Sequence, residues 1–150
     1  MSKVILKKGR EESLLRFHPW VFSGAIAQLT GSPAEGDVVS VWASDGSLLG
    51  CGHYQIGSIA VRMLSFGHEH IDAGFWTESI GAAFEARKAF CLVDSDNTNC
   101  YRLVHGEGDG LPGLIVDFYD GVCVMQAHSV GMFRARKQIA EALRSVYGPA

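Results

Sequence analysis

Closely spaced turn signals in the first 66 residues constrain the fold of this chain more than any other feature. Turn-forming residues cluster at 31–33, 44–46 and 55–58, and the segments between such clusters have strand length and are rich in Val, Ile and aromatic side chains. The strands predicted from this spacing are 3–7, 20–26, 37–43, 48–54 and 59–64. Residues 11–17 are predicted to form one or two helical turns that end before Pro19. Short strands at such spacing are typical of a small, mostly β barrel.

The apolar residues change to a helical period after Gly67. Trp76, Ile80, Ala83 and Phe84 recur at three- and four-residue steps and predict a helix over 72–90. The same period predicts a second helix over 132–147. The short sheet predicted between the helices has strands at 101–105, 114–118 and 122–127. We therefore expect an α+β chain with two domains, 1–70 and 71–150.

Composition limits the functional classes. The 150 residues carry a net charge of −3, so only a local patch could bind nucleic acid. No apolar run approaches the roughly 20 residues that a membrane span needs, and the first residues do not form a secretory signal, which predicts a cytoplasmic protein. The four cysteines lack Cys-x-x-Cys spacing, so we expect reduced and mostly buried thiols and no metal site.

Four short motifs have plain structural interpretations. Residues 106–113 are rich in glycine, but a strand follows them rather than a helix, which favours a turn over a dinucleotide site. Residues 68–70 and 94–97 carry possible metal ligands at unsuitable spacing and are predicted to be polar turns. Glu107 and Asp109 are the remaining candidates for a general acid and base, although carboxylates so placed are more often capping groups.

Positive charge concentrates in the first 33 residues. Five basic residues against Glu11 and Glu12 give this segment +3, while the other 117 residues sum to −6. Basic side chains around a glycine turn, close to aromatic rings, are suited to holding phosphates and stacking on a base. A solvated face beside core aromatics would give the same composition. The candidate RNA-binding residues are Lys7, Lys8, Gly9, Arg10, His18 and Trp20.

Several of these stretches resemble one methyltransferase family. Residues 7–10, 18–24, 50–54 and 58–62 are similar to the PUA domain that opens the S-adenosylmethionine-dependent methyltransferases of large-subunit ribosomal RNA, which modify cytosine C5. Residues 99–117, Asn-Cys-Tyr-Arg-Leu-Val-His-Gly-Glu-Gly-Asp-Gly-Leu-Pro-Gly-Leu-Ile-Val-Asp, resemble the start of the central domain of that family.

The resemblance implies a PUA-like RNA-binding domain followed by the start of a central α/β domain, with the catalytic domain outside this chain. It implies ribosomal RNA as partner and S-adenosylmethionine as cofactor of the full-length protein, with no cofactor held by these 150 residues. No cysteine matches the catalytic motif of the family, so no catalytic residue is assigned. Two alternatives stay open: a free-standing PUA-type RNA-binding protein, and a small enzyme that uses Glu107 and Asp109. A homo-oligomer is compatible with either.

Overall fold

The computed structural model describes residues 1–72 and 74–148, and contacts between residues divide the chain into two compact units at Asp72. The first unit has one short helix, α1 (Glu12–Leu15). Its strands are β1 (Lys3–Leu6), β2 (Trp20–Phe22), β3 (Ile26–Thr30), β4 (Val38–Trp42), β5 (Leu48–Tyr54) and β6 (Ile59–Phe66). They form one sheet in the order β2-β6-β5-β4-β1-β3, in which every pair is antiparallel except β1–β4.

The two edges of this sheet are strands that follow each other in the chain. Only a 3₁₀ turn, Ser23–Ala25, separates β2 from β3. The backbone N–H of Lys7 donates to the Ala25 carbonyl and that of Ser23 donates to the Ser58 carbonyl, both at 2.8 Å. A connection this short requires the edge strands to approach each other, so the sheet curls. The predicted small, mostly β barrel is confirmed.

Alternating apolar residues of these strands fill the barrel. Val4 and Leu6, Val39 and Val41, and Val61 and Met63 are at most 1% exposed, as expected for strands with one face toward a core. Leu14 of α1 is also buried in this cluster. A helix of one turn is unstable in isolation, so burial of Leu14 in the core is what stabilises α1.

Strands β5 and β6 approach too closely for side chains at two positions. A Cβ on Gly50, which lies at φ +146°, would overlap the Ser65 carbonyl oxygen, and one on Gly52 would overlap that of Arg62. The ladder shifts register between Cys51 and Gly52. The Gly-Cys-Gly pattern of the sequence is thus explained by close backbone contact.

The second unit is a three-stranded antiparallel sheet with two helices. Its elements are α2 (Phe75–Ala89), β7 (Cys100–His105), β8 (Leu114–Tyr119), β9 (Val122–Ala127) and α3 (Val130–Tyr147), with sheet order β7-β8-β9. Ile80 of α2, Met132 and Ile139 of α3 and Leu103 of β7 are fully buried. The predicted α+β class, with two helices and a short sheet after the barrel, is confirmed.

Two predictions from the sequence are wrong. The single strand 20–26 is interrupted by the turn at Ser23–Ala25, and the next strand, Ile26–Thr30, was not predicted. Its middle residues are exposed, so it lacks the alternation that marks a half-buried strand. The cysteines are free as expected, but they are not mostly buried. Cys51 is buried and Cys123 half-buried, whereas Cys91, just beyond α2, and Cys100, on an edge strand, are exposed.

Candidate nucleic-acid interface

A turn follows β1 and carries most of the predicted RNA-binding residues. The Arg10 N–H donates to the Lys7 carbonyl at 3.0 Å, and Gly9 lies at φ +80° with open space where a Cβ would stand. Lys8 and Arg10 are exposed. We call Lys7, Lys8, Gly9 and Arg10 the basic turn. Its conformation requires a residue that tolerates positive φ, and glycine does so without strain.

Lys7 has a structural partner that Lys8 lacks. Its Nζ donates to the Gly24 carbonyl at 2.8 Å, which ties the basic turn to the connection between β2 and β3. The ammonium is still exposed and retains donors for a phosphate oxygen.

A cleft of about 300 Å³ lies beside the basic turn. Its lining comes from the turn itself, α1, β2 and the β2–β3 connection, and includes Arg10, Ser13, Leu14, Trp20, Val21, Phe22, Gly24 and Ala25. Most of the lining side chains are apolar, and Arg10, which also lines the cleft, is exposed. An apolar cleft with an exposed cation in its lining is suited to a base and its adjoining phosphate.

Three rings form an aromatic cluster next to this cleft: His18, Trp20 and Phe22. The His18 and Trp20 ring centroids are 5.8 Å apart and nearly perpendicular, and Trp20 and Phe22 are 6.3 Å apart at 88°. The backbone N–H of Trp20 donates to His18 Nδ1 at 3.2 Å, which orients the imidazole. Phe22 is 48% exposed, whereas Trp20 is half-buried.

A further cation, Arg62, belongs to the same surface. Its guanidinium carbon lies 5.7 Å from the centre of the Trp20 ring, and Gln55 Oε1 accepts from its Nε at 2.9 Å. Such a cation–π contact holds the charge over the ring. The sequence did not single out Arg62 as a site residue, because the β2–β6 register that places it opposite Trp20 joins residues 42 positions apart.

The predicted residues therefore fall into one region. Arg10 and Trp20 line the same cleft, His18 contacts Trp20, and Lys7 binds a carbonyl of the cleft wall. Lys8 and Gly9 lie on the basic turn and are not part of the lining.

The glycine segment 106–113 joins two antiparallel strands, as predicted. It begins with a 3₁₀ turn, Gly106–Asp109, and Gly110 and Gly113 lie at positive φ. Asp109 accepts from Arg87 Nη1 and Nη2, both at 2.7 Å, and from the His105 N–H. Burial by itself would raise the pKa of Asp109, but these hydrogen bonds outweigh it and the pKa is lowered. A carboxylate committed in this way is unsuited to general acid–base catalysis.

The other polar motifs do not assemble a metal site. Across residues 1–72 and 74–148, no group of three or more His, Cys, Asp or Glu side chains is placed to hold an ion. In the same described parts of the chain, no helix is long and apolar enough to cross a membrane.

Comparison with known proteins identifies the barrel. Residues 4–66 match the sequence profile of the PUA-like domain. The barrel is PUA-like. This match covers β1 to β6, and so includes the basic turn, the cleft and the aromatic cluster.

Longer similarities extend over both units. Ribosomal RNA large subunit methyltransferase I from Alteromonas mediterranea is 42% identical over 144 residues, which are 95% of this chain and 36% of that protein. The protein of the same name from Escherichia coli is 38% identical over 147 residues, 97% of this chain and 37% of its own length. The chain thus spans about a third of these curated relatives.

A solved structure shows the same fold. A candidate SAM-dependent methyltransferase from Streptococcus mutans superposes with a TM-score of 0.83, covering 98% of this chain and 38% of that one. Its sequence identity of 21% supports similarity of fold alone.

Proposed function

We propose that this chain is the RNA-binding region of an S-adenosylmethionine-dependent 23S ribosomal RNA (cytosine-C5) methyltransferase. In this proposal the PUA-like barrel positions ribosomal RNA for a catalytic domain that lies outside residues 1–150. The protein works in the cytoplasm, where ribosomal RNA is modified, and S-adenosylmethionine is bound by the catalytic domain.

One observation carries the proposal: Arg10 of the basic turn lines the same cleft as Trp20 and Phe22 of the aromatic cluster, within the PUA-like barrel. Phosphate contacts give affinity for any nucleic acid, whereas aromatic rings select unpaired bases that are free to stack. The first 33 residues hold +3 in a chain of net charge −3. A polyanion is therefore attracted to this segment and repelled by the rest of the chain.

The reaction class is supported by the relatives. Both curated relatives are named as large-subunit ribosomal RNA methyltransferases, and they are similar to this chain over at least 95% of its length. S-adenosylmethionine as the methyl donor of the complete protein rests on the family resemblance of the sequence. Cytosine C5 as the target atom rests on the family resemblance of residues 99–117.

The salt dependence of RNA binding tests the interface. Each phosphate contact to single-stranded RNA contributes about 0.7 to the slope of log affinity against log salt. Lys8→Ala combined with Arg10→Ala should therefore flatten the slope by about 1.4. Thermal stability should change little because both side chains are exposed. Binding of a ribosomal RNA fragment is measured across a salt series.

A matched control removes two exposed cations elsewhere. Lys88→Ala with Lys137→Ala, on α2 and α3, changes net charge by the same amount and should leave the slope unchanged. Equal slopes for the wild type and the Lys8–Arg10 variant would place the RNA surface elsewhere. If no RNA is bound at low salt, the proposed function itself is wrong.

A further inference from the structure

Phe17 combines an unusual backbone conformation with unusual exposure. Its φ is +61°, a region that residues with a Cβ rarely enter. The side chain is 71% exposed, and Leu15 and Phe22 in the same segment are 64% and 48% exposed. Neither the backbone preference of phenylalanine nor its hydrophobicity favours this position.

The helix terminus explains the backbone but not the side chain. The Phe17 N–H donates to the Leu14 carbonyl and the His18 N–H to the Ser13 carbonyl, both at 2.9 Å. This pair of bonds is a Schellman motif, which ends α1 and places Phe17 at the position where glycine is usually found. Glycine would satisfy the turn without strain. The ring is therefore not needed to end the helix.

Phe66 holds the ring of Phe17 in place. The two centroids are 5.3 Å apart and the planes nearly perpendicular, a favourable edge-to-face geometry. Phe66 itself packs against the barrel core. One ring is thus anchored along one side while most of its surface faces solvent. A rigid, exposed ring loses little conformational entropy when it binds a flat partner.

The ring of Phe17 lies outside the lining of the cleft, beside the far end of the strand that carries Arg62. Strand β6 runs from Arg62, opposite Trp20, to Phe66, beside Phe17. Four residues of strand correspond to about 13 Å. The exposed guanidinium of Arg16 directly precedes Phe17. An extended polyanion that continued from the cleft along β6 would reach a second aromatic ring beside a second cation.

We propose that Phe17 is a stacking platform for one unpaired RNA base, distinct from the contacts at the cleft. This inference rests on the proposed function, since it needs RNA on the barrel. An aromatic ring with an exposed face stacks on any base and gives little sequence preference. Phe17 would thus favour single-stranded over double-stranded RNA, while the basic turn binds phosphate in either.

Three substitutions of Phe17 test the contribution of its ring to RNA binding separately from that of the basic turn. Phe17→Gly removes the ring and relieves the backbone strain, so the loss of the Phe66 contact is partly offset. Phe17→Leu keeps an apolar side chain at the same φ but has no aromatic face. Phe17→Trp keeps the face and should rescue binding. Urea unfolding of each variant checks that the barrel is intact.

The probes are a single-stranded oligouridine of about eight nucleotides and an abasic strand of the same length. Phe17→Gly and Phe17→Leu should bind oligouridine about 5- to 150-fold more weakly than the wild type, the range for loss of one base stack. All four proteins should bind the abasic strand equally. The salt slope should stay at the wild-type value because no phosphate contact is removed.

The outcomes distinguish this inference from the function on which it rests. Oligouridine affinities equal to wild type in Phe17→Gly and Phe17→Leu, with the slope still dependent on Lys8 and Arg10, would overturn only the role of Phe17. Absence of RNA binding by the wild type would overturn the proposed function first. Self-association of the free chain that Phe17→Gly abolishes would assign the ring to a second copy instead.

Discussion

At the scale of single residues, Asp109 shows how a carboxylate in a glycine segment is used for structure. It binds both terminal nitrogens of Arg87, and Arg87 Nε donates to the Arg102 carbonyl at 2.9 Å. The side chains of Arg87 and Asp109 are 15% and 11% exposed. The segment between β7 and β8 is thereby fixed to helix α2 by a bidentate, charge-assisted pair.

Asp109→Asn should destabilise the second unit and alter its response to acid. Loss of a fully buried partner costs about 3–5 kcal/mol, and with the remaining exposure of this pair we expect about 2 kcal/mol. The lowered pKa of Asp109 means that its carboxylate stabilises the native state at neutral pH. That contribution is lost as pH falls below about 4, through the native pKa.

Urea unfolding at pH values between neutral and about 3 measures both effects. The wild type should lose stability on acidification more steeply than Asp109→Asn. Glu85 is an exposed carboxylate on α2 and serves as the control. The free energy of unfolding of Glu85→Ala should stay within about 0.5 kcal/mol of the wild-type value. Identical acid profiles for wild type and Asp109→Asn would show that the ion pair contributes nothing to stability.

At the scale of elements, the contact between β5 and β6 determines where side chains are allowed. Gly50 and Gly46 both lie at positive φ, but only Gly50 is crowded, with Phe66 Cα 2.9 Å from the Cβ position. At Gly46, in the β4–β5 turn, nothing stands within 4 Å. An alanine at Gly46 would therefore introduce backbone strain alone, whereas an alanine at Gly50 would introduce both strain and steric overlap.

Gly50→Ala should cost about 3 kcal/mol or more, because strain and overlap add. Gly46→Ala should cost about 1 kcal/mol from strain alone. Chemical unfolding of the two variants under one set of conditions gives the comparison. Similar losses for both would mean that β5 and β6 can separate at little cost, which would contradict the tight approach seen here.

The same elements show which parts of the structure local sequence can determine. Strand 48–54 was predicted with its observed bounds, because turn residues border it on both sides. The turn at 44–46, which connects β4 to β5, was predicted from a short signal that needs no distant partner. Strand 26–30 was missed because its place at a sheet edge depends on pairing with β1, which the sequence of the strand does not encode.

The candidate interface follows the same division. The basic turn could be predicted because its cations and glycine are adjacent in the chain. Arg62 could not, since only the β2–β6 pairing brings it to Trp20. The exposure of Phe17 could not be predicted either, because a phenylalanine at positive φ contradicts the local backbone preference on which prediction relies.

At the scale of the whole molecule, the arrangement of strands and helices bears on where a methyl donor could be held. Dinucleotide-type sites lie where strands of a parallel sheet lead into helix N-termini. Within residues 1–72 and 74–148 the single parallel pair is β1–β4, and the helix after β1 has only four residues. We therefore expect the proposed function to need a further domain.

Residues 1–150 alone should neither bind S-adenosylmethionine tightly nor methylate RNA. A longer product of the same gene, where the reading frame continues, should do both. Calorimetry with S-adenosylmethionine and transfer of labelled methyl groups to ribosomal RNA measure these properties. Methyl transfer by the purified 150-residue chain would contradict the proposal, whereas a reading frame that ends at codon 150 would favour a free-standing RNA-binding protein.

The closure of the curled sheet has a consequence for how the first unit folds. Trp20 pairs with Arg62, and Lys3 pairs with both Thr30 and Ser40, so the contacts that complete the barrel join distant parts of the chain. Chains dominated by such contacts fold slowly, because loop-closure entropy is lost before the contacts form. The cleft depends on the same pairings. The cations of the basic turn are neighbours in the chain and are therefore close together before the barrel forms. The RNA cleft, in contrast, should form only in the last, cooperative step of folding.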